Sequence, residues 1–161
     1  MVRSLGVILL LSGSLYLCFS FAAFERRRLE QCEGFLLLLR HIKAQISCFR
    51  MPLARIFESF QCPELARCGF LQAVQEHGDF AQALRECKGK IWLSGEEMDL
   101  LFAFASELGR SYFEEQISLC DYYIGEFEQA YASRRRDLPV RTKLYRSLFL
   151  TGALLVVIVL L

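Results

Sequence analysis

The chain has 161 residues, 54% of them apolar, a mean hydropathy of +0.30 and a formal net charge of +1. That length allows one ordinary domain plus two short membrane segments. The charge is uneven: Leu29 to Ser133 holds 9 basic and 16 acidic residues, whereas Arg134 to Arg146 holds 6 basic residues and one acid, so an acidic body lies between basic margins, which argues against nucleic acid as the main partner.

The first element is a charge-free run of twenty residues, Leu5 to Phe24. As a helix it spans roughly 30 Å, the thickness of a bilayer's hydrocarbon core. A cleaved signal peptide is the rival reading, with Ser20-Phe21-Ala22 as a small-x-small site. The length of the run and the three arginines Arg26, Arg27 and Arg28 behind it favour a retained span. Apolar residues then recur in steps of three and four at Cys32, Phe35, Leu39, Ile42, Ile46 and Phe49, which predicts a long amphipathic helix. No proline lies between Leu5 and Met51, so span and helix are expected to be continuous, a stalk of about 45 residues and roughly 68 Å. Arg50-Met51-Pro52 is expected to break it.

Shorter helices follow. Leu53, Ile56, Phe57 and Phe60 form one apolar face. Pro63 suits the first turn of the next helix, whose inner face carries Phe70, Leu71 and Val74 and which Gly78 ends. Asp79 can cap a helix bearing Phe80, Ala83, Leu84 and Cys87, closed by Gly89. The clearest local signal is Leu93-Ser94-Gly95-Glu96-Glu97-Met98: Ser94 as N-cap, Glu97 completing a capping box, Leu93 and Met98 placed as a hydrophobic staple. Leu101, Ala105 and Leu108 continue that face to Gly109. A second long amphipathic helix is marked by Phe113, Ile117, Cys120, Ile124, Phe127 and Tyr131. No alternating strand pattern occurs, so the fold is expected to be all-α, a bundle of about six helices.

The last element is Ser147 to Leu161, fifteen residues without a charge. Extended back to Leu144, with Arg146 snorkelling, it reaches about 27 Å. A buried core helix is the alternative; uniform apolarity behind a basic collar favours the membrane. The expected organisation is a transmembrane helix over 1–24, a cytoplasmic helical bundle over 25–143 and a second transmembrane helix over 144–161. The basic collars, Arg26, Arg27 and Arg28 on one side and Arg134, Arg135, Arg136, Arg141, Lys143 and Arg146 on the other, place the middle of the chain in the cytoplasm by the positive-inside bias, with both termini outside. They also suit lipid headgroups. Ser14, Cys18 and Ala22 form a small-residue stripe along which the two spans could pack.

No catalytic, cofactor-binding or metal motif is legible: there is no Walker sequence, no Rossmann glycine fingerprint and no H-E-x-x-H. His41 and His77 read as surface histidines. The seven cysteines, Cys18, Cys32, Cys48, Cys62, Cys68, Cys87 and Cys120, are odd in number and irregularly spaced, which fits free thiols in a reducing compartment better than disulfides or zinc. No enzyme, cofactor or small-molecule substrate is expected.

Several segments together carry a resemblance. Pro52-Leu53 follows the first long helix, F-A-S-E-L-G runs from Phe104 to Gly109, Gln116 stands seven residues further on, and K-L-Y-R from Lys143 to Arg146 leads into the last apolar run. In this order they resemble the stage III sporulation protein AB family. Gly78 to Leu84 is also similar to the rhythm of the cytoplasmic domains of type II secretion F proteins. Gln45-Ile46 and Ser147-Leu148-Phe149 depart from the family pattern. The resemblance implies a non-enzymatic membrane component of the channel complex between mother cell and forespore, seated in the mother-cell membrane around the forespore. It also implies a cytoplasmic secretion-type ATPase, the sporulation AA protein, and other channel-complex membrane proteins as partners. The alternative is a general secretion-platform or structural membrane protein with no sporulation role. For ATPase docking, the acidic stretch Glu96, Glu97, Asp99 and Glu107 is the expected contact.

Overall fold

The computed structural model describes the backbone of residues 2–49, 51–110 and 112–160, with side chains from 12 to 158 apart from 50, 111, 153 and 157. Among the described residues the chain is all-α, with seven helices: α1 (Val2–Phe49), α2 (Leu53–Ser59), α3 (Pro63–Arg67), α4 (Phe70–His77), α5 (Phe80–Cys87), α6 (Gly95–Glu107) and α7 (Phe113–Leu160). Arg50, assigned to the expected break, lies outside the described residues. As expected, α1 is one helix from the first apolar run to Phe49. The chain divides into two compact units, 28–132 and a terminal unit of 1–27 with 133–161.

In the 28–132 unit, α1 is buried over more of its surface than one stripe. Cys32, Phe35, Leu38, Leu39 and Ile42 have at most 1% of their surface exposed, and Leu36 and Ile46 are also buried. A helix covered on several sides needs more apolar positions than a two-helix seam provides. Gly34 is part of the reason. A Cβ there would lie 3.1 Å from Cys62 Sγ and 3.2 Å from Leu65 Cγ, so α3 rests directly on the α1 backbone. Phe49, expected at the end of the stripe, is instead 67% exposed, because α1 ends there and no further turn carries the stripe under cover.

The expected single helix after Pro63 is two. Gly69 adopts φ +80°, a left-handed conformation that side chains with a Cβ rarely take, and this separates α3 from α4. Elsewhere the local signals hold. Pro63 opens α3, and Asp79 accepts hydrogen bonds from the backbone N–H groups of Ala81 and Gln82 at 2.7 and 3.1 Å. Gly78 and Gly109 stand in left-handed conformations just beyond α4 and α6. Helix α5 ends at Cys87 with Lys88 as its C-cap, so Gly89 stands just past its end.

An aromatic path crosses this unit. Phe35 of α1 meets Phe70 of α4 at 5.1 Å between ring centroids, Phe70 meets Phe80 of α5 at 5.1 Å, Phe80 meets Phe104 of α6 at 5.8 Å, and Phe104 meets Tyr123 of α7 at 5.5 Å, all edge-on. Edge-to-face contacts of this kind add about 0.5–1.5 kcal/mol each beyond area burial. Arg40–Glu128 and Lys43–Asp121 ion pairs tie α1 to α7 in antiparallel order; being exposed, they contribute little.

The terminal unit is built differently. Every buried apolar side chain among the described residues lies between Cys32 and Phe127, so no described apolar side chain of this unit is buried. Leu15, Tyr16, Phe19, Leu148, Leu154 and Ile158 are all exposed. Ser14, Cys18 and Ala22 are half-buried, and next to Ala22 the ring of Phe21 lies 4.0 Å from that of Tyr145. Among the described residues no helix is long and apolar enough to cross a membrane; residues 1–11, which include the first seven of the first apolar run, lie outside the described side chains. Pro139 sits inside α7 and removes the N–H that would bond the Arg135 carbonyl, yet the helix continues through it.

Candidate partner-binding face and basic collars

Helix α6 starts with the capping box legible in the sequence. Ser94 Oγ accepts from the Glu97 N–H at 3.3 Å, and Glu97 Oε2 accepts from the Ser94 N–H at 2.7 Å. Glu97 is only 3% exposed, and its other oxygen accepts a long contact of 3.9 Å from the Cys32 thiol of α1. Its carboxylate is therefore committed to the start of α6 rather than presented to solvent. Glu96, Asp99 and Glu107 are exposed. At 100° per residue these three fall within one sector of about 80°, so they share a face along α6. Glu107 also accepts from the Tyr123 hydroxyl at 3.2 Å; burial first, then the Glu107 charge, push that hydroxyl's pKa up.

A polar latch that the sequence did not signal lies beside this helix start. Gln31 of α1 is 6% exposed; its amide donates to the Lys90 carbonyl at 3.1 Å and its oxygen accepts from the Trp92 N–H at 2.7 Å. Arg28 Nε donates to the Trp92 carbonyl at 2.8 Å. Together they hold the loop between α5 and α6 against α1 and so fix where α6 begins. One collar residue is thus engaged with the packed unit. Arg26, Arg27, Arg135, Arg136, Arg141, Lys143 and Arg146 are exposed, Arg134 is half-buried, and Arg141 lies 3.8 Å from Asp137.

The histidines are surface groups with polar neighbours, His41 at 3.1 Å from Ser59 Oγ and His77 at 2.9 Å from Glu86 Oε2. All seven cysteines are free thiols; Cys48 is exposed, Cys18 is half-buried, and the other five are buried. Burial pushes the pKa of Cys68 and Cys87 up and that of Cys120 to about 11, which disfavours the reactive thiolate. Among the described residues no group of histidine, cysteine or carboxylate side chains is placed to hold a metal.

These features define a class: an all-α protein, among its described residues, with one packed helical unit and a terminal unit in which no described apolar side chain is fully buried. The family model described as stage III sporulation protein AB matches residues 3–161, and the chain belongs to that family. The family indicates a sporulation-related role and is not a known enzyme family. No curated protein and no solved structure gives a match.

Proposed function

We propose that this protein is a non-enzymatic membrane adaptor of the channel complex between mother cell and forespore, and that its packed unit docks a cytoplasmic secretion-type ATPase. The family match along nearly the whole chain carries the reading. The physical features support it. The terminal unit leaves large apolar side chains uncovered, which in a soluble chain marks an interaction or membrane surface. The basic collars border its two apolar runs. Both apolar ends act as spans in the mother-cell membrane around the forespore, leaving the packed unit in the cytoplasm. The docking face is Glu96, Asp99 and Glu107 on α6, with Glu97 and Ser94 fixing the helix start behind it.

Two experiments test this. The protein is purified from sporulating mother cells and its co-purifying proteins are identified; a hexameric secretion-type ATPase is expected among them. Binding of that ATPase is then compared for the parent and Glu96→Lys/Asp99→Lys/Glu107→Lys at low salt. A fall of at least tenfold is expected, and unchanged affinity removes the assigned face.

A further inference from the structure

We propose that Arg135, Arg136, Lys143 and Arg146 of α7 form a binding stripe for anionic phospholipids; this deepens the membrane reading above and rests on it. The four are exposed, and none makes a hydrogen bond or ion pair with another described residue. At 100° per residue they fall within a single sector of about 100°, along roughly 16 Å of helix. The one acid of the segment, Asp137, projects on the far side and lies 3.8 Å from Arg141. Nothing acidic on α7 therefore neutralises the stripe between Arg134 and Arg146. Further along the same sector stand Leu150 and Leu154, 47% and 62% exposed. Cations followed by uncovered leucines repeat the order of a phospholipid, phosphate first and acyl chain after. Guanidinium groups suit phosphate oxygens in pairs of hydrogen bonds, and a zwitterionic headgroup offsets that attraction with its own cation. Positive-inside topology alone needs basic residues near the span but not on one face; the shared face is what selects a lipid partner.

The test uses the full chain, stripped of lipid in detergent and offered vesicles of neutral phosphatidylcholine with or without phosphatidylglycerol. Flotation measures membrane association, and native mass spectrometry measures lipid retained after re-extraction. The parent is expected to retain phosphatidylglycerol over phosphatidylcholine by roughly tenfold or more, given about fivefold for each cation near an anionic surface. Arg135→Gln/Arg136→Gln/Lys143→Gln/Arg146→Gln is expected to lose that preference while still floating, and Arg135→Lys/Arg136→Lys/Arg146→Lys to keep most of it with an unchanged helical spectrum. Equal retention of the two lipids by the parent overturns the stripe and leaves the membrane reading standing. Failure to float with either vesicle overturns both. Tighter retention of a single-stranded nucleic acid than of phosphatidylglycerol also overturns it.

Discussion

Replacing Gln31 by Leu keeps the side chain's size and removes both hydrogen bonds of the latch. Two backbone groups then lose partners: the Trp92 N–H, half-buried, and the Lys90 carbonyl, which water can reach. A buried donor left unsatisfied costs about 1–3 kcal/mol and a solvated acceptor much less, so a net loss of about 2 kcal/mol is expected. For a packed unit of this size that lowers the melting temperature by roughly 8 °C. Trp92 is the only tryptophan and sits in the latched loop, so its fluorescence follows the transition in full-length protein. Gln31→Glu adds a pH signature. Its carboxylate can still accept from Trp92 but faces the Lys90 carbonyl without a proton, whereas the protonated acid can donate to it. The folded state thus binds that proton more tightly than the unfolded state. The folded pKa is raised, and the stability it confers is present at low pH and lost as pH rises through it. Gln31→Glu should therefore recover part of its deficit on acidification relative to the parent. A Gln31→Leu melting temperature within about 2 °C of the parent, or parallel pH profiles for Gln31→Glu and parent, refutes the latch.

Ser94→Ala removes the cap of α6 and should cost about 1 kcal/mol, read by the same fluorescence melt. Gly34→Ala forces a methyl to within 3.1 Å of Cys62 Sγ and 3.2 Å of Leu65 Cγ; a loss of about 1–3 kcal/mol is expected in denaturant titration, and a neutral result means that α3 can withdraw freely. At alkaline pH the unfolded Cys120 thiol ionises from about its usual 9.0 while the folded one, pushed up to about 11, stays protonated. The unfolded state then holds fewer protons, so stability falls between pH 9 and 11, by about 1.4 kcal/mol per pH unit at most for this thiol. Cys120→Ala should flatten that decline, and an equally steep profile in the variant contradicts the assignment.

How far the sequence carried depended on the range of each interaction. The capping box of α6 and the Asp79 cap were legible because donor and acceptor stand within three residues. The latch was not, since Gln31 meets Lys90 and Trp92 at 59 and 61 residues' separation and gives no periodic signal. The break at Gly69 was hidden inside an apolar helical pattern, where only the backbone conformation separates a tolerated glycine from a stop. Spacing identified one buried stripe on α1 but not the burial of Leu36 and Leu38, which depends on how many neighbours surround the helix. Within the candidate face, adjacency grouped Glu97 with Glu96 and Asp99; its position three residues after the cap turns it inward instead.

The distribution of thiols has a practical consequence. Five of the seven are buried and Cys18 is half-covered, which leaves Cys48, near the end of α1, as the exposed one. A maleimide dye or spin label at neutral pH is therefore directed by the native sequence to one address on the packed unit, with Cys18 in the terminal unit as the other thiol that is not fully covered. With Cys18→Ser alone, the protein carries its own attachment point for following partner binding by fluorescence anisotropy or distance measurement.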